Sequence, residues 1–119
     1  MSWGEVIDKI TILEIKVSRL PSAAAQANAA RELALLGAIA APVVAQAAAL
    51  VTRLRCVNEA LWEIEDRIRQ HERDGDFGAQ FIELARAVYH RNDERGAIKR
   101  QINLALGSEL IEEKSYQPY

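Results

Sequence analysis

Asn58, Trp62, Glu65 and Arg69 recur at alternating steps of four and three, with Asp66 beside Glu65. One helix face would therefore carry an amide, an indole, two carboxylates and a guanidinium. A face that only meets water takes Lys and Glu; Asn and Trp there are side chains suited to hydroxyls and flat rings. A second polar set follows at Tyr89, Asn92, Asp93, Arg95 and Lys99, and a third near the N-terminus, where Asp8 and Lys16 lie two turns apart with Ile12 between them. Three chemistries are open to these groups. Arg95, Arg69 and Lys99 could pair with Glu65, Asp66 and Asp93 while the asparagines set helix register. The same groups could line a pocket for an anionic or sugar-like ligand, Arg and Lys on its charge, Asn on its hydroxyls, and Trp62 or Tyr89 as a stacking wall. Or Glu65, Asp66 and Asp93 could hold a divalent metal for hydrolysis or transfer on a phosphorylated sugar.

The familiar versions of such chemistry fail on spacing. A di-iron bundle needs Glu-x-x-His, but His71 and His90 are preceded at that distance by Ile68 and Ala87. Glu63-Ile-Glu-Asp66 supplies one carboxylate element of an all-helical nucleotide pyrophosphohydrolase, but Glu83 is followed at the matching distance by Arg86. No serine has a histidine partner at a recognisable spacing, and no glycine-rich phosphate loop is present. His71 reads as solvated beside a turn, and His90 as a surface histidine. Cys56, the single cysteine, allows no disulfide within the chain; between Leu54 and Val57 it reads as a small apolar group near the core. No metal and no cofactor are expected.

The elements that must position these groups are helices. With 119 residues, few aromatics and sparse Pro and Gly, the chain reads as one all-α domain over 1–119. A net charge of −2 and a pI near 5.7 give no general pull toward nucleic acid. The N-terminus lacks the regions of a signal peptide, so the expected compartment is the cytoplasm. Residues 33–51 hold no charge and have about the length of a membrane span, but Ala dominates them and Gly37, Pro42 and Gln46 interrupt them. No membrane span is expected.

Ser2 and Glu5 form a capping-box spacing, and Val6, Ile10, Leu13, Val17 and Leu20 repeat at four and three, which predicts a helix over 3–20. Ile7, Ile12 and Ile15 make it apolar nearly all round, so neighbours must enclose it, a second copy of the chain among them. Ser22 can cap an Ala-rich helix over 24–40 with Leu33, Leu36 and Ile39 or Ala40 inward. Pro42 should push Ala41 out of the α region and open a third helix over 43–73. Its core seam is Leu50, Leu54, Val57, Leu61, Ile64 and Ile68. Asp74-Gly75-Asp76 marks a turn, a fourth helix follows over 79–106, and Gly107 closes it before a tail over 108–119 with a short helical turn and an extended end. The expected architecture is a four-helix bundle built on a long antiparallel helical hairpin. In that pairing Asn58 faces Asn92 and Arg55 faces Arg95, so two polar stripes meet at one height.

The chain also resembles a family of small bacterial proteins classed as a domain of unknown function. The likeness rests on residues 4–16, GEVIDKITILEIK; 58–69, NEALWEIEDRIR; 81–93, FIELARAVYHRND; 98–103, IKRQIN; and 112–116, EEKSY. It spans nearly the whole chain outside the Ala-rich region. A second uncharacterised helical family is similar in outline. Both families imply genes placed near glycosyltransferases for lipopolysaccharide or other surface polysaccharide, but no reaction and no catalytic residue. The family's motif positions coincide with the polar belt at Asp8, Lys16, Asn58, Trp62, Glu65, Asp66, Arg69, Asn92, Asp93 and Lys99.

The expectation is a cytoplasmic homodimer serving as a non-enzymatic binding or accessory module for surface-polysaccharide assembly. Its belt would contact a sugar phosphate, a nucleotide or a partner segment, with a glycosyltransferase or sugar-nucleotide protein as partner. The alternatives are a metal-dependent carboxylate hydrolase or transferase and a purely structural helical adaptor.

Overall fold

Ser2 opens the first helix as its spacing predicts. In a computed structural model describing residues 1–107, its hydroxyl accepts the Glu5 N–H at 3.3 Å and α1 runs Trp3–Arg19. The expected helical turn and extended end over 108–119 fall outside the described residues. Ser22 caps α2, Ala23–Val44, by accepting the Ala25 N–H at 3.2 Å, and the Gln26 side chain donates back to the Leu20 carbonyl at 2.6 Å. The described residues are all-α, with no strand among them.

Pro42 does not begin a new helix. It sits inside the last turn of α2, and Ala41 before it is helical. The Ala-rich stretch before it favours the helix strongly enough to carry the chain past the missing N–H. The break comes later, in a 3-10 turn at Ala45–Ala47, where Ala47 leaves the helical region at φ −128° and ψ 28°. From there α3 runs Ala48–Asp74. Laid straight, the 52 residues of Ala23–Asp74 would span about 78 Å. The longest extent of the described residues is 47 Å, so Ala45–Ala47 is a sharp elbow. Part of this joined helix is also long and apolar enough to cross a membrane by length and composition, and only 17% of that window is buried.

Gly75 ends α3 in the left-handed conformation at φ 67°, its N–H donating to Glu72 while the Asp76 N–H reaches the His71 carbonyl at 3.0 Å. That is the double bond of a Schellman cap, and a side chain there would strain it. After it α4 runs Ala79–Ala105, and Gly107 takes the same conformation at φ 66°. α3 and α4 lie antiparallel: His71 sits beside Phe81 near the turn, and Arg53 donates to Gln101 at 3.3 Å toward the other end.

The described residues build an all-α fold in which α2 and α3 are one long joined helix, Ala23–Asp74. α2 packs along α1 and meets the rest chiefly through the elbow, while α1 also lies against both α3 and α4. The result is three helical rods, the middle one bent, in a slab 21 Å thick. The core joins Ile7 of α1, Ala47 of the elbow, Val51, Leu54, Val57 and Leu61 of α3, and Ile98 and Ile102 of α4. Of the apolar side chains of α1, Val6, Ile7, Leu13 and Ile15 are buried, and Ile10, Ile12, Val17 and Leu20 are half-buried. Exposed apolar side chains include Leu35 and Ile39 on α2, Phe77 before α4, and Ile82 and Leu104 on α4. Cys56 is exposed rather than near the core, because the buried face of α3 passes through Leu54 and Val57 on either side of it.

Leu54 is fully enclosed while Leu104 is largely exposed. Leu54→Ala should therefore lower the unfolding free energy by about 2–5 kcal/mol, and Leu104→Ala by less than about 1 kcal/mol. Urea titration followed by circular dichroism measures both.

Candidate functional site

The first helix, not the pairing of α3 with α4, brings the polar residues together. Asp8 is 5% exposed in a helix otherwise chosen for apolar contact. Its carboxylate accepts Arg95 Nε on Oδ1 at 2.9 Å and Arg95 Nη2 on Oδ2 at 2.5 Å, a two-pronged pair across 87 residues of chain. Asn58 Nδ2 donates to the same Oδ1 at 2.9 Å and to Thr11 Oγ1 at 2.8 Å, using both of its hydrogens. The Thr11 hydroxyl in turn donates to the Asp8 carbonyl at 2.8 Å. A buried carboxylate with three charge-assisted or amide donors is stable where a bare one would not be.

Close approach of the helices makes this reach possible. Gly4 lies against α4, its N–H donating to Asn103 Oδ1 at 2.6 Å. A methyl group on Gly4 would fall 2.5 Å from the Lys99 carbonyl oxygen and 2.9 Å from Asn103 Oδ1. On the α3 side Glu14 takes two bonds from Arg55, at 2.9 and 3.3 Å. The Glu14 hydrogen bond raises the Arg55 pKa above its ordinary value, ahead of the opposing effect of burial.

Beside the network a groove of about 370 Å³ runs along α1. Lys9, Lys16, Arg95 and Lys99 line it, with Asp8 and Glu5 as its carboxylates and Ile12 between the turns. Lys99 is 8% exposed on the inner side of α4. Lys9 reaches across to Glu32 of α2 at 2.6 Å, which fixes that edge.

Five of the twelve residues singled out from the sequence thus meet around α1: Asp8, Lys16, Asn58, Arg95 and Lys99. Asn58 faces Asp8 and Thr11 rather than Asn92, and Arg55 and Arg95 each turn to a carboxylate of α1 rather than to each other. Glu65, Asp66 and Arg69 form a separate exposed cluster on α3, with Arg69 2.7 Å from Asp66 and 3.9 Å from Glu65. Trp62, Asn92 and Asp93 are half-buried on α3 and α4. Tyr89 is on the surface, its hydroxyl accepting from Arg86 at 3.3 Å and its ring 5.0 Å from that of the exposed His90. His71 is half-buried rather than solvated, its ring 6.2 Å from Phe81 and its Nδ1 3.1 Å from the Asp76 carbonyl. Among the described residues no three His, Cys, Asp or Glu side chains converge as a metal site would require.

Sequence reasoning passed over Thr11, Gly4, Lys9 and Asn103. Thr11 stands three residues after Asp8 in an otherwise apolar run, the spacing at which a hydroxyl returns to the preceding turn. Asn103, between Ile102 and Leu104, is a lone amide on an apolar face and signals a contact in the same way that Asn58 does.

The family model described as "Family of unknown function (DUF6165)" matches residues 1–119. The chain belongs to that family. No curated protein and no solved structure matches it. Of the five convergent residues, Asp8 and Lys16 of α1 and Arg95 and Lys99 of α4 line the groove, which therefore draws on two separate stretches of the chain, while Asn58 of α3 holds Asp8 from behind.

Replacing Arg95 with Met would strand the Asp8 carboxylate and should cost about 3–5 kcal/mol of stability. Adding Asp8→Asn to that variant should restore part of the loss, and a double-mutant cycle by denaturant unfolding measures the coupling. Gly4→Ala should destabilise by about 1–3 kcal/mol, because its methyl group meets backbone rather than a yielding side chain.

Proposed function

We propose that this chain is a non-enzymatic binding module whose α1–α4 groove takes a small anionic ligand of the sugar phosphate or nucleotide phosphate class. One observation carries the reading: four cationic side chains against two carboxylates line a single groove of a chain whose net charge is −2. Asp8 holds the Arg95 guanidinium in a fixed orientation, and Lys16 and Lys99 approach from α1 and α4. That arrangement suits a phosphate, which accepts from several donors at once. Ile12 and Leu13 add apolar wall beside the cations, as ligand sites commonly do. The resemblance noted above supports a cytoplasmic accessory role beside the glycosyltransferases of surface-polysaccharide assembly, where phosphorylated sugars are the common currency. Asn58 and Thr11 serve this module from behind, by holding Asp8.

Isothermal titration with inorganic phosphate, glucose 1-phosphate and uridine diphosphate tests the proposal. At least one should bind, and Lys16→Ala should weaken it about 10- to 100-fold, while Arg67→Ala on the exposed side of α3 leaves it unchanged. Silence across all three compounds, or equal affinity in the Lys16 and Arg67 variants, would remove the groove from consideration.

A further inference from the structure

Much of the charge that lines the groove is already engaged within the chain. Arg95 gives Nε and Nη2 to Asp8, and Asp8, 5% exposed, has Asn58 as a further donor. Lys9 is held by Glu32 of α2 at 2.6 Å. Two lining groups are not engaged in this way. Among the described residues neither the Glu5 carboxylate nor the Lys16 ammonium has a hydrogen bond or ion pair, and Met1, at the Glu5 end, makes no ion pair with Glu5. A carboxylate three residues after a cap serine commonly returns to the N–H of the cap. Here Ser2 accepts from the Glu5 N–H at 3.3 Å, but among the described residues no bond comes back from the Glu5 side chain.

Glu5, Lys9, Ile12 and Lys16 follow one another at four and three along α1 and so share one stripe. Arg95 meets that helix at the level of Asp8, and a lysine at position 16 leans back toward Ile12, since helical side chains tilt toward the N-terminus. An anion shared by Arg95 and Lys16 therefore sits near Ile12. From Ile12 back to Glu5 is about 10 Å along the axis. One hydroxylated ring and a hydrogen bond fill that length. An ionised carboxylate only accepts, so the group that faces Glu5 must donate. The charge balance narrows the choice further. Four cations less two carboxylates leave the groove two positive charges, and Glu32 offsets one of them through Lys9. A single surplus charge suits a phosphate monoester better than a diphosphate.

Resting on the groove reading, we propose that Glu5 is the specificity-determining residue of a monosaccharide phosphate site. The phosphate sits between Arg95 and Lys16, and a ring hydroxyl donates to Glu5. Inorganic phosphate leaves the carboxylate unanswered, and an apolar ring in the same place would bury it without a donor.

Calorimetric titration of the full chain with glucose 1-phosphate, cyclohexyl phosphate and uridine diphosphate tests the inference. Glucose 1-phosphate should bind about 10-fold or more tightly than cyclohexyl phosphate, which has the ring without its hydroxyls. Glu5→Ala should remove most of that ratio, and Glu5→Gln, which keeps the size and one acceptor, should fall between. Because the readout is a ratio of two ligands on one protein, a general loss of stability does not imitate it. Equal binding of the two ring phosphates, or a preference that persists in Glu5→Ala, overturns the role of Glu5 and leaves the groove standing. Uridine diphosphate binding more tightly than glucose 1-phosphate overturns the monoester assignment in the same way. If none of the three compounds binds, the groove reading itself falls.

Discussion

The Asp8 carboxylate is the constraint on which the arrangement depends. It sits where packing alone would place an apolar side chain, and it is stable there because Arg95 from α4 and Asn58 from α3 both reach it. Satisfying it fixes the rotation of α1. With Asp8, Thr11, Gly4 and Ile7 turned toward α3 and α4, the stripe through Glu5, Lys9, Ile12 and Lys16 is left at the edge of the contact. One buried charge thereby decides which side of the helix becomes a groove wall. Thr11 and Asn58 do not touch the groove, yet they hold the group that orients Arg95 within it.

Much of the local structure was legible in the sequence because its causes are local. Ser2 and Ser22 cap the helices their spacing implied, and Gly75 and Gly107 take the left-handed conformation at helix ends. Pro42 shows the limit of that reasoning. Its effect on the preceding residue is a preference, and a run of alanines outweighs it, so the helix persists for one further half-turn before the elbow. Asn58 and Arg95 were recognisable as misfits on their faces, but their partners were not. Periodicity says which side of a helix is polar; it does not say which of two neighbouring helices that side meets. The α3–α4 pairing pointed Asn58 at Asn92, whereas the third neighbour, α1, supplied the acceptor. Glu65, Asp66 and Arg69 continue the Asn58 stripe, but toward the turn at Gly75 they form their own exposed ion pairs.

The same geometry separates two kinds of polar residue within one family member. Asp8, Asn58 and Thr11 are buried and mutually satisfied, which makes them structural groups first. Lys9 and Lys16 stand at the open side, where α1 is bordered by α4 on one flank and by α2 on the other. The cations of the groove therefore rest on a framework that does not itself need a ligand in order to form.

The elbow at Ala45–Ala47 has a consequence for local stability. Because α2 packs chiefly along α1 and turns at the elbow before α3 begins, it reaches the core shared with α3 and α4 through Val44 at its end. Most of its surface faces water, with Ala29 and Ala40 its fully enclosed residues. Elements with so little enclosed side-chain surface open locally at lower free energy than a core does, which makes α2 the helix least tied to the Ile7–Leu54–Ile102 core.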